Sequence, residues 1–244
     1  MARTAAVLTT ARAGALVALA ALLAVYTATA GRLWDAGLGW DVAFLTVVLI
    51  PAFLLVPPLL LPLAFRRGLL LVGLALVALA LVLRAAELDV LFNLAKLFAL
   101  VAIGFWFLSY FETVAWAVLV AAIIPWVDAI SVWRGPTDYV VEEQPQIFDN
   151  VSIAFRVPGE EGTANLGPPD VLFFALFLAA ADRFGLRVGW TWLAMTALLS
   201  GTLILTATTD VAGLPALPAI CVGFLLPNAD LLWRELRRPK PSSE

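Results

Sequence analysis

Eight apolar stretches succeed one another between Ala13 and Trp233, covering about 13–30, 42–64, 69–84, 89–110, 113–134, 170–182, 188–208 and 215–233. Most approach the ~20 residues that a helix needs to cross a bilayer. In lipid, every backbone N–H and C=O must be satisfied within the protein, and a helix does this inside a single segment. The pattern therefore predicts an all-α, polytopic transmembrane helix bundle of about eight spans. Composition agrees: 63% of the 244 residues are hydrophobic and 14% are charged, against roughly one half and one quarter in soluble domains. The first run ends Ala28-Thr29-Ala30, which also fits a small-residue cleavage site. Its length favours an uncleaved first span. The second run carries Pro51, Pro57, Pro58 and Pro62, so it is expected to be kinked and packed inside the bundle, where neighbours can satisfy the freed backbone groups.

The residue inventory narrows the chemistry. There is no histidine, which removes imidazole-based serine and cysteine catalysis and the His-Glu-x-x-His zinc proteases. The one cysteine, Cys221, allows no internal disulfide and offers no metal-ligand spacing. No basic tract points to nucleic acid. Neither metal nor cofactor is implied, and carboxylates remain the main proton-moving groups.

Two carboxylates lie where they are costly. Asp170 follows Leu166-Gly167-Pro168-Pro169, and no charged residue comes after it until Asp182. An acid at a helix centre costs about 2.5–3.5 kcal/mol on insertion scales and usually marks a site. Taken alone, Asp170 equally fits a proline-started helix cap. Asp128, near the far end of the fifth run, is the second. Residues 135–166 join the two runs and form the only long hydrophilic stretch. The chain thus divides into N-terminal membrane helices over 1–134, a hydrophilic loop over 135–166 and a C-terminal three-helix membrane part over 167–244. Antiparallel spans joined by this loop have adjacent loop-side ends, so the acids should meet at similar depth. Two carboxylates close together in an apolar site share a proton; one activates water while the other donates to a carbonyl. That division of labour hydrolyses a peptide bond without metal or covalent intermediate.

Within the loop, 147–157 reads as one or two short strands, with Val151, Ile153 and Phe155 alternating, or as ordinary loop. Asn93 and Lys96 interrupt the fourth run; Lys96 is expected to snorkel toward the interface. Arg3, Arg12, Arg66, Arg67, Arg183, Arg187 and the basic tail fall on one side of an eight-span chain. The positive-inside rule then places both termini in the cytoplasm and the long loop outside.

Asp128-Ala129-Ile130-Ser131-Val132-Trp133 resembles the first-aspartate helix of the presenilin and signal peptide peptidase family of intramembrane aspartyl proteases, especially its microbial homologues. Gly167-Pro168-Pro169-Asp170 stands where that family carries Gly-x-Gly-Asp, and Pro215-Ala216-Leu217-Pro218 resembles its Pro-Ala-Leu motif. The ordered set covers about 126–226. Two positions depart from the pattern: Pro169 replaces a glycine, and Val127 replaces the usual tyrosine. The resemblance implies a presenilin-like bundle of eight or nine spans in a prokaryotic plasma membrane, with Asp128 and Asp170 as the catalytic pair. It implies that Gly167, Pro215, Ala216 and Leu217 shape the substrate site, and that the partners are single-span membrane proteins or signal peptides, with no nucleic acid. Because an extended segment can satisfy backbone groups freed when a substrate helix unwinds, a stretch just before Gly167 is expected to pair with substrate. Two other readings of the acids stay open: a prepilin-peptidase-like aspartyl protease, and a proton-coupled transporter or non-catalytic scaffold.

Overall fold

The computed structural model describes residues 8–35, 37–134, 150–159, 163–209 and 214–237. The helices are α1 (Thr10–Thr29), α2 (Leu38–Leu63), α3 (Leu69–Ala85), α4 (Asp89–Phe107) and α5 (Val114–Arg134), followed after the hydrophilic loop by α6 (Pro168–Arg183), α7 (Val188–Thr208), α8 (Leu217–Leu225) and α9 (Ala229–Leu236). Two strands, β1 (Ile153–Arg156) and β2 (Thr163–Leu166), form an antiparallel hairpin between α5 and α6. Among the described residues, five helical segments are long and apolar enough to cross a bilayer: Thr10–Arg32, Leu38–Leu63, Asp89–Tyr110, Val114–Ser131 and Val188–Thr208. α3, with 17 residues, is apolar but shorter.

α6 is the axis of the bundle. Phe174 through Ala181 are each wholly buried, as suits a helix that is apolar on every face. α4 packs along one side of it and α8 along another, while α5 and α7 pack on α8. The α4–α6 crossing is close because position 104 is glycine: a Cβ there would lie 2.5 Å from the Leu172 carbonyl oxygen. Small residues at such crossings let helix backbones approach in a membrane. Outward faces carry apolar side chains in the open, among them Val47, Leu71 and Leu81.

The proline-rich α2 is broken as its sequence requires, and neighbouring side chains repair it. A π-turn spans Leu45–Leu49, and the helix is interrupted again at Leu54 and Leu55. The N–H that would serve the Leu54 carbonyl belongs to Pro58, which has none; Trp192 Nε1 on α7 donates to that oxygen instead, at 2.7 Å. Ile50 N–H bonds back to Leu45 O and Pro51 supplies no donor, so Ser200 Oγ donates to Thr46 O at 2.8 Å.

The last apolar run is not one helix. Pro227 lies in a 3₁₀ turn, Leu226–Asn228, that separates apolar α8 from the amphipathic, charged α9. Asn228 is wholly buried in this break. Its amide donates to Thr191 Oγ1 and Phe224 O and accepts from Arg187 N–H.

The strand reading of 147–157 holds for Ile153–Arg156, where Ile153 and Phe155 are buried on one face. Asn150 and Val151 are helical instead, with Val151 exposed, and 147–149 lie outside the described residues. So do both chain termini and Asp210.

Candidate active site

Asp170 is the third residue of α6. Pro168 and Pro169 occupy the first two helical positions, where no N–H is needed and a fixed φ favours helix entry. Thus Pro169 fits its place as a helix starter, while the neighbouring glycine does something else. Gly167 has an ordinary extended backbone (φ −62°), so no conformational need explains it. Its N–H donates to Asp170 Oδ2 at 3.1 Å. A Cβ at 167 would sit 3.0 Å from that same oxygen. Glycine here makes room for the carboxylate to fold back onto the backbone.

Asp128 lies in α5, three residues after Pro125, which removes the helical donor to Ala121 O. Asp128 Oδ2 accepts a hydrogen bond of 3.0 Å from the Leu217 N–H. Leu217 opens α8, directly after Pro215 and Ala216. The first turn of a helix has N–H groups with no intrahelical partner, and Asp128 takes one of them. The structure therefore brings Asp128 and Leu217 into contact across 89 residues of sequence. Asp128 and Asp170 lie within electrostatic reach of one another, and Cys221, one turn beyond Leu217, is within reach of Asp128. Both acids are half-buried. Each uses Oδ2 on a backbone N–H; among the described residues, Oδ1 of each receives no donor.

The hairpin leads into this site, because β2 ends at Leu166, immediately before Gly167. Its register pairs Ile153 with Leu166 and Ala154 with Asn165. β1 is clamped from the opposite side by α4. The Asn93 side-chain amide donates to Ala154 O at 2.8 Å and accepts from Ala154 N–H at 2.9 Å, as a neighbouring strand would. Both Ala154 groups thus point away from β2, which puts the ladder bonds at the Ile153–Leu166 and Phe155–Ala164 pairs.

Lys96, expected to snorkel, has its ammonium on the chain that leads into β1. Its ammonium donates to the carbonyls of Ser152 and Asn150 and lies 4.2 Å from the Phe92 ring centre. Two further ties complete the hold. Tyr26 Oη on α1 donates to Arg156 O at 2.6 Å, and Phe155 packs edge-on against Phe53 of α2 at 4.7 Å. Sequence reasoning missed this clamp. The available signal was two polar residues three apart, hence on one face, of an otherwise apolar helix.

No protein-family model, curated protein or solved structure matches this chain.

Proposed function

We propose that the protein is an intramembrane aspartyl protease of the presenilin and signal peptide peptidase type, hydrolysing peptide bonds in or near the spans of membrane-protein substrates. The observation that carries this reading is the paired arrangement of Asp128 and Asp170. Each carboxylate is held by one oxygen on a backbone N–H, at Leu217 and at Gly167, and keeps its other oxygen for a shared water. One acid then takes a proton from that water as it attacks the scissile carbonyl. The other, protonated, hydrogen-bonds the carbonyl oxygen, and the first acid then passes the water's proton to the leaving nitrogen, which restores both starting protonation states. No group beyond the chain's own residues is needed for this cycle.

β2 supports the same reading from the substrate's side. A substrate span must open its helix before its carbonyl can be attacked, and the freed backbone groups are costly in lipid. An extended segment laid along the outer edge of β2 regains hydrogen bonds and continues toward Asp170. Single-span proteins and signal peptides are the substrates that fit. The protein works in a prokaryotic plasma membrane with both termini cytoplasmic.

A hydroxyl-containing transition-state mimic of aspartyl proteases, carrying a photoreactive group, tests this directly on the full-length protein. It should label the wild type and fail to label either Asp128→Asn or Asp170→Asn. Equal labelling of all three proteins would reject the assignment, and would leave the acids to proton transport or scaffolding.

A further inference from the structure

At the end of α6 remote from Asp170, a cavity of about 910 Å³ opens between the ends of three helices. Its wall is built from 64–69 at the α2–α3 turn, from Phe105, Trp106, Leu108 and Ser109 at the end of α4, and from Arg183 and Phe184 closing α6. The floor is apolar and buried, formed by Ala64, Phe105 and Leu108. The polar rim carries Arg66, Arg67 and Arg183, and no acidic residue is among the described lining. Arg183 is fixed in place: its Nη1 donates to Leu108 O at 2.9 Å, and its guanidinium lies 5.6 Å from the Phe184 ring centre. Among the described residues, none of the three arginines forms an ion pair with an acid. Three cations converging on one concave site repel one another unless an anion joins them, and guanidinium geometry matches phosphate.

We propose that this cavity binds the phosphate headgroup of an anionic phospholipid. Its place in the bundle selects a lipid over a soluble phosphate. The three helices that build it end here, and the spans of an integral membrane protein end near the headgroup region. α3 starts at the cavity with Leu69 and leads away from it, carrying the exposed apolar side chains Leu71, Val72 and Leu74. An amphiphile with its phosphate on the arginines thus finds an apolar track for its acyl chains. A cavity of this size belongs to the range of whole-ligand sites. The inference is independent of the catalytic assignment, because Arg183 lies about 20 Å along the α6 axis from Asp170 at 1.5 Å per residue.

Native mass spectrometry of the full-length protein, released from detergent containing phosphatidylglycerol or phosphatidylcholine, gives the test. The wild type should retain phosphatidylglycerol in preference to phosphatidylcholine. The Arg66→Gln/Arg67→Gln double variant, which leaves the Arg183–Leu108 bond alone, should bind phosphatidylglycerol about thirtyfold more weakly. The Arg66→Lys/Arg67→Lys variant, which keeps both charges, should recover most of that affinity and so exclude a folding defect as the cause. Equal retention of the two lipids, or unchanged retention by the glutamine variant, would overturn the proposal. Displacement of the lipid by millimolar inorganic phosphate would equally overturn it, by making a free anion the ligand.

Discussion

At the scale of single residues, the bundle is held by side chains that answer backbone groups left over by proline. Trp192 is the clearest case, since its indole N–H replaces the donor that Pro58 cannot supply to Leu54 O. Trp192→Phe keeps most of the ring and removes only that donor. It should lower stability by about 1–2 kcal/mol, read as an earlier midpoint when the full-length protein is titrated with denaturing detergent; an unchanged midpoint would show that the carbonyl finds another donor. The kinks in α2 were legible in the sequence because proline has one local consequence wherever it falls in a helix. The identity of the rescuing residue was not, since nothing local to Trp192 says which carbonyl 138 residues away it will meet. The same distinction separates the two acids. Asp170 announces itself beside Gly167 and Pro168, whereas the bond from Asp128 to the Leu217 N–H depends on how α5 and α8 pack. Only the resemblance to Pro-Ala-Leu pointed to it.

Among the elements, the hairpin is the one whose position decides most. Ile153–Arg156 shows the alternation expected of a half-buried strand. Thr163–Leu166 shows nothing of the kind, because Ala164 and Asn165 are weak strand formers and the segment is extended only through pairing with β1. That is why half the hairpin could be read in advance and half could not. What fixes the pair in space is Asn93, buried on α4 and matched to both backbone groups of Ala154. Asn93→Leu leaves that N–H and C=O without a partner and should cost about 1–3 kcal/mol. Under the proposed protease function, a purely structural role predicts slower cleavage or a less stable protein with an unchanged product. A positioning role predicts more: β2 is free to shift along with β1, so the cleavage site in a single-span substrate moves by one or more residues. Mass spectrometry of the released fragments separates these outcomes, and an unaltered cleavage position would confine Asn93 to stability. The final apolar run teaches a related point. Its hydropathy continues to Trp233, which masks the break that Pro227 and buried Asn228 impose between α8 and α9.

For the molecule as a whole, one exposed ion pair ties the entry of α7 to α9. Arg187 is bidentate on Asp230, at 2.6 and 2.8 Å, and this contact holds the Asp230 carboxyl below its ordinary value of 3.8. A carboxylate with a depressed folded-state pKa adds stability above its unfolded value, and that stability is lost as pH falls through the folded value. The thermal-stability difference between wild type and Asp230→Asn should therefore be constant above pH 3.8, shrink on further acidification, and be smaller throughout in high salt. A difference that grows as pH falls would contradict the assigned sign. The helical character was written in the apolar runs, and all eight are found as helices or helix pairs, α6 among them; among the described residues five segments are long and apolar enough to cross a bilayer. Asp128 and Asp170 are proposed to act as one catalytic unit on a single water. This is tested most directly by cleavage of a purified single-span substrate co-reconstituted with the full-length protein in liposomes. Wild type should release two fragments, and Asp128→Asn and Asp170→Asn should each lose turnover by about a thousandfold or more with unchanged thermal stability. Turnover by either variant within about tenfold of wild type would contradict the account.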